Sequence, residues 1–349
     1  SLINKKSNSI FINIKELNLS KIPKLNFGGF ASANLNLNLK NDLVDWKIEE
    51  GYLSQKNTNA IKFNAKGSGD FKKGNILWST LGGVEVLLSE LEYDFSPEIN
   101  KLSSVINLKS YDLSNINNQI GGGKAILSGI FKSKIEGRSI DDASIILTVQ
   151  DLSLIHKKGV LNSADFYLNS FNKDGFRNFS IINSSWLSGE AIGRFDLSKT
   201  KLLINNALSE TFPIIPKSKL SKVQEVKFDF TLSKDLVNIL NTDIQSTEDF
   251  NLIGYLSSDE NKSYLDIEVP FFQYQDFFAQ GLKINLNNKL SSRASKLIID
   301  KAIYKNSNLG EFILGSKINQ NKLSINVSLS SVIYGGDGFD FNFDIDKLN

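Results

Sequence analysis

Apolar and polar side chains alternate along most of this chain. In residues 33–40, ANLNLNLK, each Leu is separated from the next by one Asn. Successive strand side chains point to opposite faces, so the Leu residues form one row and the Asn residues another. The same period runs through residues 61–66, 143–149, 226–232, 265–269, 282–287, 323–329 and 339–345. Period two predicts antiparallel strands with one apolar face. Turn-like clusters fall between these segments: Asn26 with Gly28-Gly29, Lys66-Gly67-Ser68-Gly69, Asn172-Lys173-Asp174-Gly175 and Ser257-Ser258-Asp259-Glu260-Asn261. Their spacing predicts a meander of hairpins.

Two stretches depart from the rhythm. Over residues 197–211 the apolar positions Leu197, Leu203, Ile204, Ala207 and Leu208 follow a helical spacing, closed by Phe212-Pro213 and Pro216. SKDLVNILN, residues 233–241, predicts a second short helix with Ser233 as candidate N-cap. No Pro/Gly linker separates folded halves. The expectation is therefore one continuous elongated groove: sheet over 1–196, a helical interruption with an intervening strand over 197–241, and sheet over 242–349.

At about 14 residues per strand and turn the chain supplies on the order of 20 to 25 strands, growing to roughly 100 to 120 Å at the usual strand spacing. Open sheets of that size split, close or curl. Two short helices cannot cover such a face, so the apolar rows must face one another or something that is not protein. The expected class is all-β, a long curled antiparallel sheet forming a U-shaped groove with an apolar interior.

Charge narrows the partners. Lys plus Arg number 40 against 38 Asp plus Glu, a net charge of +2 with both signs interspersed. Such a chain has no strong field to draw nucleic acid, and none is expected as a partner. Cys is absent, which removes thiolate metal sites, Cys nucleophiles and disulfides. Met is absent even at position 1, so the chain reads as a fragment of a longer polypeptide. No apolar run reaches the roughly 18 to 20 residues of a membrane-crossing helix, and residues 1–18 lack the order of a signal peptide. Any anchor is expected outside the fragment.

Catalytic signatures are missing, and neither enzyme activity nor a cofactor or metal is expected. His156 is the only histidine, which rules out a multi-His metal site, and a solvated loop or strand edge is its expected place. Residues 118–125, NQIGGGKA, resemble a phosphate loop but lack its first Gly and carry Ala125 where a magnesium-binding hydroxyl belongs, which points to a turn. Gly335-Gly336-Asp337-Gly338-Phe339-Asp340 resembles one calcium-binding turn of a β-helix. With a single copy, and with Asn342 at an aliphatic position, a hairpin is expected. The pairs Asp141-Asp142 and Glu49-Glu50 read as turn or solvated-face residues. The aromatic cluster at residues 271–278, FFQYQDFF, has two readings: a sheet corner packed inward, or a bulky lining where cargo or a partner meets the sheet.

Between residues 189 and 288 the chain resembles the TamB family, the inner-membrane-anchored component of the translocation and assembly module in the AsmA-like superfamily of bridge-like lipid transfer proteins. The residues that carry the resemblance are GEAIGRFDL at 189–197, LINNALS at 203–209 leading into FPIIP at 212–216, VKFDF at 226–230, LIGYL at 252–256 and the region 271–286. The resemblance implies a U-shaped sheet, a β-taco, with an apolar concave face. It further implies a periplasmic conduit for phospholipid between the two membranes, and a link to outer-membrane protein assembly through a barrel partner. The family's membrane helix and C-terminal domain lie outside this fragment.

The leading expectation is a lipid-conducting groove without chemistry. Its lining is expected from Leu35, Leu37, Leu39, Phe63, Ile145, Leu147, Phe228, Phe230, Ile284, Leu286, Ile325, Val327, Phe341 and Phe343. The alternative is a scaffold or chaperone that receives outer-membrane protein strands on a sheet edge or apolar face. An outer-membrane barrel would want regular aromatic girdles, and a β-solenoid adhesin a fixed repeat length. Neither is found.

Overall fold

The computed structural model describes residues 8–18, 29–40, 43–55, 61–70, 72–80, 86–95, 98–113, 125–209, 216–220, 222–240, 244–259, 262–287, 293–319, 322–330 and 339–345. The fold is all-β: strands make up 75% of the chain and pair antiparallel in a sheet that does not close on itself. The described residues contain 22 strands and two short α-helices. Every alternating segment singled out above lies in a strand. The chain divides into two compact units, one of residues 1–138 and 144–167, the other of residues 139–143 and 168–349.

The first unit is a meander in which each strand pairs with the next. Its strands are β1 (Asn8–Asn18), β2 (Gly29–Lys40), β3 (Leu43–Gln55), β4 (Ile61–Gly69), β5 (Lys73–Thr80), β6 (Val86–Phe95), β7 (Asn100–Asp112), β8 (Ala125–Gly137), β9 (Ser144–His156) and β10 (Gly159–Asn162). Short polar side chains make its corners. Asp70 Oδ1 accepts the backbone N–H of Lys72 at 2.6 Å and of Lys73 at 2.7 Å, which closes the β4–β5 turn. The Lys66-Gly67-Ser68-Gly69 cluster, expected as that turn, instead lies inside β4. Gly67 is needed there because the Asn75 carbonyl oxygen and the ring of Trp46, its partner on β3, fill the space a Cβ would take.

Bulges interrupt β3 between Ile48 and Gly51 and β9 between Gln150 and Ser153. Glu50 and Asp151 take left-handed backbone angles (φ 51 for each) beside these irregularities. Their N–H groups are satisfied by the side chains of Asn64 at 3.1 Å and Asp165 at 3.2 Å. A bulge bends its strand and increases the local twist.

The second unit begins with β11 (Phe166–Lys173), from Leu168 onward. It continues through β12 (Phe176–Ile182), β13 (Leu187–Arg194), α1 (Thr200–Ser209), β14 (Glu225–Leu232), α2 (Lys234–Leu240), β15 (Ile244–Gln245), β16 (Phe250–Ser257) and β17 (Tyr264–Tyr274). Then come β18 (Phe277–Asn287), β19 (Arg293–Tyr304), β20 (Ser307–Asn319), β21 (Lys322–Ser330) and β22 (Phe339–Ile345). The expected turn after β11 is present. Asp174 and Gly175 both have positive φ, and Gly175 N–H donates to Asn172 Oδ1 at 3.1 Å.

Both expected helices form. A 3-10 turn at Leu197–Lys199 leads into α1, and residues 210 and 211 at the end of the expected span lie outside the described residues. Ser233 caps α2, its Oγ accepting the N–H of Asp235 at 3.1 Å. Phe212 and Pro213 lie outside the described residues.

α1 anchors the second unit's core. Leu203 is fully buried and packs with Ala191, Phe195, Ala207, Val226 and Leu256. Arg177 is also fully buried. Its guanidinium donates to the carbonyls of Ala143 at 3.2 Å, Ile140 at 3.3 Å and Asp141 at 2.7 Å, and to Ser170 Oγ, which ties residues 140–143 to β11 and β12.

Leu203→Ala removes buried methyl groups that the sheet cannot collapse to replace. It is expected to lower the second unit's unfolding free energy by about 2 to 5 kcal/mol. Urea unfolding followed at Trp186 checks this, in a background where the first unit's Trp46 and Trp78 are changed to Phe.

Candidate functional site

Pairing register carries one apolar face through the first unit. Leu35, Leu37 and Leu39 lie opposite Ile12, Ile10 and Asn8 on β1 and opposite Ile48, Trp46 and Val44 on β3. Ala65 on β4 faces Ile48, and Phe63 faces Gly51 beyond the bulge. The same face then runs through Ile76 and Trp78 on β5, Leu91 on β6, and Leu102 and Ile106 on β7. It ends on Phe131 and Ile135 of β8 and Ile145, Leu147 and Val149 of β9. All the lining residues expected in this unit (Leu35, Leu37, Leu39, Phe63, Ile145 and Leu147) therefore share one face.

Asn34, Asn36 and Asn38 take the other face, where Asn13 Nδ2 donates to Asn34 Oδ1 at 2.7 Å and Ser9 Oγ to Asn38 Oδ1 at 2.6 Å. Phe11, opposite Asn36, breaks the polarity of that face and is 68% exposed, and the exposed Leu77, Leu88, Val105 and Ile146 do the same on later strands.

The second unit repeats the arrangement independently. Phe228 lies between Ala191 and Gly254, and Phe230 between Gly189 and Leu252. Leu252 faces Ile267, which faces Ile284, while Leu265 faces Leu286. From Ile284 the face passes through Leu297 and Leu314 to Val327 and Phe341, with Ile325 and Phe343 beside them. The expected Phe228, Phe230, Ile284, Leu286, Ile325, Val327, Phe341 and Phe343 again share one face. Burial differs along it: Leu286 is 4% exposed, whereas Phe341 and Phe343, with rings 6.4 Å apart, are each 54% exposed.

Hydroxyls on these faces pair with one another. Ser104 and Ser133, directly opposite in the first unit, are 2.7 Å apart. Ser295 and Ser316, directly opposite in the second, are also 2.7 Å apart. In each pair one hydroxyl donates to the other across the neighbouring strands.

The second unit also holds a cavity. α1 lies on the apolar face, and between helix and strands is a space of about 360 Å³. Thr200, Ile204 and Leu208 line it from the helix side, and Phe228, Phe230, Leu252, Ile267 and Leu286 from the sheet. Among the described residues, no ionisable one lines it. This cavity was not legible in the sequence, because the helical spacing does not reveal which part of the sheet α1 lies on.

The remaining candidates fall elsewhere. His156 is not solvated: it ends β9 at 4% exposure, opposite Ala125 and Gly159, and its Nδ1 accepts the Lys158 N–H at 3.3 Å. Strand pairing on both sides of β9 encloses the ring, which a single-residue reading could not anticipate. The cluster at 271–278 forms the β17–β18 hairpin tip, where Phe272 and Phe277 pack on Ala279, Ile299 and Ala302. Residues 118–124 and 335–338 lie outside the described residues. Among the described residues, no group of three or more His, Asp or Glu could hold a metal ion.

Asp141 is a carboxylate whose titration its surroundings shift. Burial acts to raise it, but the Ser198 hydroxyl at 2.6 Å and N–H at 2.8 Å, with Arg177 behind them, outweigh burial and hold its pKa below the ordinary value. Comparison with protein-family models, with curated proteins and with solved structures finds no match to this chain.

A carboxylate with a lowered folded pKa stabilises the fold above its unfolded pKa, and that contribution disappears as pH falls through the folded value. Asp141→Asn is therefore expected to lower stability near pH 6, with the gap to the parent chain starting to close as pH falls past about 4, the carboxylate's unperturbed value, and closing fully only below the lowered folded value. Denaturant midpoints measured across that range check this. A gap that stays constant with pH would overturn the assignment.

Proposed function

We propose that this chain is a conduit for phospholipid between the inner and outer membranes, with acyl tails lying along its apolar sheet faces. The observation that carries the reading is the apolar face kept in register from β1 to β9 in the first unit and from β13 to β22 in the second. Among the described residues, one short helix, α1, lines this face in the second unit, and a long apolar face so lightly covered suits an apolar occupant. Each methylene withdrawn from water contributes about 0.8 kcal/mol. Spread along a face, that gain favours entry without trapping the lipid at one point.

The self-paired serines and the cavity without ionisable groups fit tails rather than headgroups, which stay in water. No bond is made or broken in this reading, and the chain acts without cofactor. The resemblance to the TamB family adds the setting: the periplasm, an inner-membrane anchor supplied by a segment outside these residues, and a barrel partner in the outer membrane. Among the described residues, no helix is long and apolar enough to cross a membrane.

Photo-crosslinking amino acids placed singly at Leu37 and Asn36 test the reading in vesicles of phosphatidylethanolamine and phosphatidylglycerol. Lipid is expected on Leu37 and not on Asn36. Equal labelling would sink the proposal, and peptide rather than lipid at Leu37 would favour a scaffold for outer-membrane protein strands.

A further inference from the structure

Aromatic rings on the apolar faces lie over glycines of the neighbouring strand. In the first unit, a Cβ added at Gly51 would stand 2.6 Å from Phe63 Cζ, and one at Gly67 would stand 2.6 Å from Trp46 Cε2. In the second, one at Gly254 would stand 2.5 Å from Phe228 Cζ, and one at Gly189 would stand 2.7 Å from Phe230 Cδ1. Each glycine is the direct cross-strand partner of its ring. Carbon atoms do not approach so closely, so every ring occupies room that any other residue would fill. Glycine lets the ring lie down along the sheet instead of standing off it.

Phe228 is the ring where this posture decides the shape of a cavity. It helps line the space of about 360 Å³ between α1 and the sheet, together with Phe230, whose ring is 6.4 Å away and nearly parallel. We propose that Gly254 sets the clearance of this cavity. With glycine at 254 the Phe228 ring lies on β16 and the cavity admits a single acyl chain, whereas a side chain at 254 lifts the ring into the cavity. The identity of the occupant rests on the lipid reading above; the clearance itself does not.

Gly254 is the clean position for a test. It is not among the glycines with positive φ, so its backbone accepts a Cβ. Beyond the ring, the next atom such a Cβ meets is the Tyr264 carbonyl oxygen at 3.0 Å. Gly189 differs, because at φ 141 its Cβ would strike the Asp229 carbonyl oxygen. Gly254→Ala therefore asks most of the movable end of Phe228, and a few tenths of an ångström of the Tyr264 carbonyl.

The absence of Cys from the chain gives a direct readout. Ile267→Cys places one thiol in the cavity wall, and Val327→Cys places one on the same face outside that wall. With N-phenylmaleimide as the apolar probe, Gly254→Ala is expected to slow modification at position 267 by about fivefold, as a ring crowds the space. The rate at 327 is expected to stay unchanged, and adding Phe228→Ala to restore the rate at 267.

An unchanged rate at 267, equal slowing at 327, or no restoration by Phe228→Ala would each overturn the assignment. Lipid crosslinking at Leu37 is read separately. If it fails while thiol access follows the expected pattern, the conduit reading falls and the clearance role of Gly254 stands.

Discussion

Cross-strand register is the constraint on which the apolar faces depend. Side chains alternate with a period of two, so a slip of one residue between any two strands would send Leu35, Leu37 and Leu39 to the side of the asparagines. The danger is greatest at bulges, where one strand carries an extra residue. At the β3 bulge the left-handed turn at Glu50 absorbs that residue, and Gly51 still meets Phe63. Asn64 takes up the freed Glu50 N–H, so the correction leaves no orphaned donor. The sheet is irregular along its strands yet continuous across them.

Much of this could be read from the residues alone because period two is a strong signal when it recurs. The alternating segments became strands, and the lining positions fell on one face in each unit. What the pattern could not supply was pairing. The Gly67 stretch looked like a turn because glycine and serine make turns, whereas the Asn75 carbonyl and the Trp46 ring on the two adjacent strands are what require the glycine. His156 looked like an edge residue because it is polar and alone, but neighbours on both sides of β9 bury it. Arg177 carried no sequence signal, since only the fold brings residues 140–143 to its guanidinium.

The helices divide the same way. Ser233 and the spacing from Leu197 to Leu208 are local signals, and local signals placed both elements. The site on the sheet where α1 rests is a tertiary matter, set by Leu203 and Ala207 finding Ala191, Val226 and Leu256. Small residues at 191 and 207 let helix and strand approach there. Farther along, Ile204 and Leu208 line the opening between them.

The serine pairs have a consequence for the polarity of the face. A lone hydroxyl among Leu and Phe would hold a water or seize any nearby acceptor, and losing that partner would cost a hydrogen bond. In Ser104 with Ser133, and in Ser295 with Ser316, one hydroxyl donates to the other across neighbouring strands. Each pairing halves the protons that two hydroxyls would otherwise offer to an outside acceptor. The face is drier at these points than its composition alone suggests.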